Sequence, residues 1–275
     1  EKMQAVVTVP FATIACMACS LLAGIAIPIV LFFVIRAKGG KPAAFFVGCG
    51  VMFLFAFVLE QLVHTVFFSL PIGTIVQQNI LLYALYGGFM AALFEEFGRL
   101  AAFGTLLRKR RDNDVNALMY GAGHGGFEAL YLLGLGMLNN LIVAILLNAG
   151  MGQVLTAGLT GEALATVQST FSVLAQTPAP TFLVGILERV GAVTVQICLS
   201  VLVWFAVGRG ARGIVLFALA FFLHMALDFA VVMLSAYAVP MLLIELFVWI
   251  FAAVCVLIAR SVWRHCRQTN RMETT

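Results

Sequence analysis

Three groups of ionisable residues interrupt a chain of nearly unbroken apolar runs: Glu95-Glu96-Phe97-Gly98-Arg99, His124 with Glu128, and His224 with Asp228. Carboxylates and imidazoles are the side chains that take a proton from water or hold a metal that does so. Placed in apolar segments long enough to cross a bilayer, they are costly. They persist there where they pair, hold water or do chemistry. Two histidines and several carboxylates on three separate segments therefore point to activation of water, and so to hydrolysis within a membrane. The plainer alternative is a polar network that only ties helices together.

Spacing within each group refines this. Glu95 and Arg99 stand at i, i+4 and share a helix face, so the guanidinium can balance the carboxylate. Glu96 points about 100° away and is free to engage a different partner. His124 and Glu128, like His224 and Asp228, are also i, i+4, which sets a carboxylate one turn from an imidazole and lets it fix the tautomer or share the site. Gly121, Gly123, Gly125 and Gly126 surround His124. They weaken a helix but allow another backbone to approach closely.

The elements that carry these residues are legible from composition. Of 275 residues, 63% are hydrophobic and 10% charged, and the mean hydropathy is +1.08. A soluble domain is roughly half apolar and about a quarter charged. The chain reads as an all-α, polytopic membrane protein: a single transmembrane domain over residues 1–275. Seven runs, at about 5–35, 43–70, 79–107, 115–147, 181–207, 213–236 and 239–262, each reach the ~20 residues that a spanning helix needs. The first run lacks a basic leader and a small-residue cleavage pattern, so it is expected to remain as a span. The six cysteines show no disulfide or zinc-ribbon spacing and read as small apolar residues.

Charge orders the loops. Arg36, Lys38 and Lys41 follow the first run, Arg108 to Arg111 the third, Arg209 and Arg212 the fifth, and Arg260, Arg264, Arg267 and Arg271 the seventh, while the loops after the second, fourth and sixth runs have no Lys or Arg. Basic residues favour the cytoplasmic side, which puts the N-terminus outside and the C-terminus in the cytoplasm. The long connection 150–180 is then external. Leu164, Val167, Phe171 and Leu174 lie on one face of a helix within it, as in a helix at the membrane interface. On this topology Glu96 is twelve residues from Arg108, His124 ten from Asp114 and His224 twelve from Arg212. At about 1.5 Å per residue, all three lie ~15–18 Å from the cytoplasmic flank, near mid-depth or in the cytoplasmic half. Gln196 falls at a similar level. Glu60 and His64 fall nearer the outer face and are not assigned to the site.

Glu-Glu-x-x-Arg at 95–99, Tyr120-x-x-x-His124 and His224-x-x-x-Asp228 resemble the motif series of the CAAX-protease and bacteriocin-processing superfamily. The Gly-His-Gly-Gly-Phe-Glu run at 123–128, with Leu187-Glu188-Arg189-Val190 and Ser200-Val201-Leu202-Val203, is most similar to its YhfC and PrsW branches. The resemblance implies a bacterial cell-membrane, multi-pass intramembrane endopeptidase that acts on membrane proteins or membrane-associated peptides, with no nucleic-acid partner. By position it implies Glu95 as the water-activating residue, Glu96 and Arg99 as its supporting pair, and His124 as a holder of the water. His224 and Asp228 match a motif that supplies an oxyanion hole from His and Asn. Glu128 and Gln196 are supporting candidates. Aspartate in place of asparagine leaves three roles open: a protonated donor, a residue that orients His224, or part of a metal site. Glu95, His124 and His224 also form a zinc-type ligand set. The nearby Arg99 disfavours a cation, so a glutamic mechanism without a required cofactor is the favoured expectation and zinc the alternative. The rival functions are a proton- or ion-coupled transporter, against which stand the odd span count and the absence of repeated halves, and a seven-span zinc-dependent lipid amide hydrolase, which needs a third histidine at the site.

The charge pattern sets an expected topology. Reporter fusions after Lys41, Arg111 or Arg212 should read as cytoplasmic, and fusions after Ser69 or Gly161 as external; a cytoplasmic signal at Gly161 would overturn the seven-span arrangement.

Overall fold

In a computed structural model, residues 7–273 are described, with side chains through Gln268. The start of the first expected run, Ala5 and Val6, and the side chain of Arg271 lie outside the described residues. The described residues are helical, with no strand. In chain order the helices are α1 (Phe11–Ala37), α2 (Pro42–Phe68), α3 (Pro71–Gln78), α4 (Ile80–Gly104), α5 (Val115–Asn148), α6 (Gly152–Leu155), α7 (Gly161–Gln176), α8 (Thr181–Ala206), α9 (Gly210–Ala236) and α10 (Met241–Glu273). Seven of them (α1, α2, α4, α5, α8, α9 and α10) are long and apolar enough to cross a membrane.

Local chemistry sets their ends. Pro42 and Pro71 open α2 and α3 at the position where a missing N–H costs nothing. The Asn79 side chain accepts hydrogen bonds from the backbone N–H groups of Leu81 and Leu82, at 3.0 and 3.2 Å, and caps α4. Gly208 and Gly210, with φ of 81° and 55°, make the turn between α8 and α9. α10 runs well past the expected end at 262, because its basic tail contains no helix breaker. Both α2, over Phe53–Glu60, and α5, over Leu130–Leu135, widen locally into π-helix, a form that recurs at functional sites.

Two compact units divide the chain: Glu1–Ile27 with Ala129–Arg189, and Pro28–Glu128 with Val190–Thr275. In the first, α7 is the amphipathic helix expected at 164–174. Its Phe171 and Leu174 are buried with Val9, Met17, Leu141, Ala144 and Leu147, so this part of its apolar face is turned onto protein. In the second, Phe103, Tyr120 and Trp204 form an aromatic core between α4, α5 and α8.

The glycines around His124 serve helix packing. A Cβ on Gly123 would stand 2.0 Å from the Phe45 carbonyl oxygen of α2, and one on Gly48 of α2 would stand 2.3 Å from the Tyr120 oxygen. On the other side of α5, Gly121 faces Ile197 Cα at 2.6 Å and Gly125 faces Gln196 Cβ at 2.8 Å. Gly88 similarly lets α4 lie along α9, 2.6 Å from the Met225 oxygen. Backbones this close leave no room for a side chain. Gly123→Ala should therefore cost about 1–3 kcal/mol through overpacking, read as a fall in melting temperature in detergent. Gly87→Ala, where nothing lies within 4 Å, should be neutral or slightly stabilising because alanine favours helix.

Candidate functional site

Four helices of the second unit converge on one buried cluster. α4 contributes Glu95, Glu96 and Arg99; α5 contributes His124 and Glu128; α8 contributes Gln196; α9 contributes His224 and Asp228. Glu96, Arg99 and His124 are fully buried, and Glu95, His224 and Gln196 nearly so. The six expected catalytic residues are thus neighbours, from three sequence regions that span more than a hundred positions.

The Glu95 carboxylate is the centre, and its two oxygens are treated differently. Oε2 receives three contacts: His124 Nε2 at 2.9 Å, Gln196 Nε2 at 3.0 Å and Arg99 Nη2 at 3.3 Å. Oε1 faces His224 Nε2 at 3.8 Å. One oxygen is saturated by donors; the other looks across a gap. Arg99 also donates to Glu96 Oε1 and to Gln196 Oε1. Its planar fork thereby serves two carboxylates and an amide, which a point-charge ammonium cannot do in one geometry.

Glu96 does engage a different partner, as its angular offset requires. Its Oε1 meets His224 Nδ1 at 2.7 Å. Because a carboxylate only accepts, that nitrogen carries a proton. In a neutral ring, His224 Nε2 then presents a lone pair toward Glu95 Oε1 at 3.8 Å and Asp228 Oδ2 at 3.5 Å. Three acceptors facing one point require a proton or a cation between them. Asp228, with its side chain 37% exposed, forms the open edge of this point.

Of two pairings expected from spacing, one is lost and the other, His224 with Asp228, is kept at 3.5 Å beside a second carboxylate. Glu128 does not fix His124: its Oε2 accepts from Gln196 Nε2 at 2.8 Å, and His124 Nδ1 has no hydrogen-bond partner. The ring of His124 is spent on Glu95 through its other nitrogen. Asp228 does not hold the outer nitrogen of His224 either. Glu96 does that, and Asp228 shares the nitrogen that faces Glu95. Gln196 is more central than its sequence position suggested, since it bridges Arg99, Glu95 and Glu128. Tyr120 stacks on His124 with ring centroids 5.6 Å apart. It was visible only as the aromatic residue of its motif. Glu60 and His64 pair with each other at 3.1 Å, and His64 reaches the Tyr86 hydroxyl at 2.8 Å, so they form a separate group with no hydrogen bond to the cluster.

The donor types suit a zinc ion. Two imidazole Nε2 atoms address the two oxygens of one carboxylate, and the opposite nitrogen of His224 is held by Glu96, the outer-shell support that ligating histidines commonly have. Within the cluster, the four carboxyl groups of Glu95, Glu96, Glu128 and Asp228 stand against the single guanidinium of Arg99, so the set has room for the charge of a cation. This fit is one of kind: among the described residues no three His, Cys, Asp or Glu side chains stand at ligand spacing around one point.

Comparison with known proteins gives the family. Residues 23–248 match the YhfC family, described as YhfC intramembrane metalloprotease. The match covers most of the chain, which therefore belongs to that family. A relative from Bacillus subtilis (strain 168), "Uncharacterized membrane protein YhfC", is 36% identical over 176 residues, 62% of this chain. The aligned part spans 66% of that relative, just under two thirds of its length. No solved structure matches. The seven apolar helices and this relative together identify a multi-pass membrane protein.

The geometry makes Gln196 a structural test of the cluster. Gln196→Leu removes an acceptor from buried Arg99 and a donor from Glu95, and an unsatisfied buried polar group costs about 1–3 kcal/mol. The variant should melt at a clearly lower temperature in detergent, whereas Thr194→Ala, two residues away, half-buried and bonded only to the Val190 carbonyl, should not.

Proposed function

We propose that this chain is an intramembrane endopeptidase that hydrolyses peptide bonds of membrane proteins or membrane-associated peptides, with Glu95 at the centre of the chemistry. The observation that carries this reading is the asymmetry of the Glu95 carboxylate. Three donors immobilise Oε2, while Oε1 faces His224 Nε2 beside the half-exposed Asp228. A fixed base with one free oxygen at the accessible edge is what general-base attack by water needs.

In this reading Glu95 Oε1 receives the proton of the attacking water. His124 keeps Glu95 in place through Nε2. Glu96 holds His224 Nδ1, which aims Nε2 at the reacting point, where a protonated ring stabilises the developing negative charge on the substrate oxygen. Arg99 balances Glu95 and Glu96 without entering the reaction. The residues suited to hold zinc are Glu95, His124 and His224, and bound there the ion would act as a Lewis acid that brings the pKa of its water toward neutrality. The family description supports the metal-assisted form, and the charge of the cluster offsets the objection that Arg99 raises. The reading places the site near mid-depth or in the cytoplasmic half of a bacterial cell membrane, with the N-terminus outside.

Glu95→Gln conserves size and removes the base, so cleavage of a single-span reporter by purified protein should be abolished while the protein remains folded, with Glu96 still paired to Arg99; Glu60→Gln should retain most activity. Full-rate cleavage by Glu95→Gln would make the cluster structural and remove the reading. Metal content, measured with and without chelator, then separates the two forms of the mechanism. If zinc is present and essential, Asp228→Asn should lose about 10–100-fold in activity or metal affinity. If cleavage survives chelation with no bound metal, the same variant should match or exceed the parent, because an amide N–H donates without prior protonation.

A further inference from the structure

At the end of α8 where the basic residues gather, the second unit has a cavity of about 360 Å³ between the first turns of α9 and the last turns of α10. Arg209, Arg212, His265 and Ser261 supply its polar groups; Val215, Leu216 and Val262 are among its apolar walls. We propose that this cavity binds the headgroup of an acidic phospholipid, with an acyl chain along the exposed apolar surface of α9.

Three observations converge on that ligand. The first is charge. Arg111 is close enough to Arg209 for the two guanidiniums to repel, and Asp114, the nearby carboxylate, already serves Trp204 Nε1 at 3.1 Å and Arg267 Nε at 3.3 Å. Arg111 and Arg209 thus gather positive charge beside the cavity, and an anionic oxygen cluster within it relieves their repulsion. Arginine pairs with phosphate through two parallel N–H groups, and the Ser261 hydroxyl adds a neutral donor. The second is the level at which the cavity lies. Trp204, Phe205 and Trp263 surround this end of the unit, with Arg111 over Trp204 at 5.8 Å, Arg209 over Phe205 at 5.5 Å and Arg267 over Trp263 at 5.5 Å. Trp204 and Phe205 are buried there, so it is the arginines at the ends of the spanning helices, with the partly exposed Trp263 among them, that mark headgroup level. The third is continuity. Ile214 and Val215, 71% and 67% exposed, lead away from Arg212 along α9, and Phe222 continues the apolar surface two turns further. A free phosphate has no use for that surface; an acyl chain does. Basic pockets between spanning helices suit anionic lipid headgroups for these reasons.

The cavity is lined by none of the residues of the Glu95 cluster, so the proposal stands or falls apart from the proteolytic reading. Its test is the thermal unfolding of purified full-length protein in a neutral detergent, titrated with phosphatidylglycerol, phosphatidylcholine or inorganic phosphate. Phosphatidylglycerol should raise the melting temperature saturably, and the shift should shrink with added salt. Phosphatidylcholine and inorganic phosphate should not reproduce it. Each arginine near an anionic headgroup is worth about fivefold in affinity, so Arg209→Gln/Arg212→Gln should bind phosphatidylglycerol roughly 30-fold more weakly. Arg36→Gln/Lys38→Gln, which removes two charges elsewhere, should bind like the parent. Leu216→Trp keeps every charge but fills the cavity, and should also lose binding, which covers the case in which the double-arginine variant does not fold. An equal shift with inorganic phosphate would assign the site to a free anion and overturn the lipid. Equal binding by the parent and Leu216→Trp would reduce the effect to general surface charge and overturn the site.

Discussion

A guanidinium with no exposure to solvent, fastened to two carboxylates and an amide, is the constraint from which the site follows. Arg99 contacts Glu95, Glu96 and Gln196, and each of these carries a further group: His124, His224 and Glu128 respectively. In an apolar surrounding, a charge that loses a partner has no water to replace it, so breaking one contact leaves a cost several times the net worth of the contact itself. Such a network has few alternative arrangements. It fixes the relative positions of α4, α5, α8 and α9 within their unit to the tolerance of hydrogen bonds, which apolar packing between smooth helices would not do.

The close approach of the helices is the other half of this arrangement. Short polar side chains such as Glu, Gln and His bridge only when their backbones are near, and the glycines of α5 remove the obstacle on two sides at once, toward α2 and toward α8. Gly125 lies against Gln196 Cβ, so the glycine one residue after His124 is what admits the amide that holds Glu95. The run of small residues and the polar cluster are parts of one packing solution.

Helix count and span limits were legible because apolar runs, prolines and basic loops each mark boundaries independently. That these residues would gather in one cluster was legible too, since ionisable residues inside such runs have few reasons to exist. The partner of each residue was not. Spacing of i, i+4 correctly paired Glu95 with Arg99 and His224 with Asp228. It failed for His124 with Glu128, because tertiary partners on α4 and α8 outcompeted the local one. The role of Gln196 could not be read from a neutral residue in an apolar run, and the His265 and Arg209 cavity depends on how far α10 continues as a helix. Local periodicity reports which face a residue occupies; it does not report which neighbour arrives there first.

Glu95 and Glu96 are consecutive, yet one turns its carboxylate to His124 and the other to His224. The azimuth of α4 is therefore keyed. A slip of one residue about its axis would rotate the pair by about 100° and carry Glu96 toward the bearing of Glu95, while Arg99, which turns with them, would leave Gln196. Sliding or twisting of α4 would break its contacts to His124, Gln196 and His224 together, whereas Asp228 on α9 sits at the exposed edge of the cluster, so α4 is the fixed axle of the arrangement and that edge its least tied part.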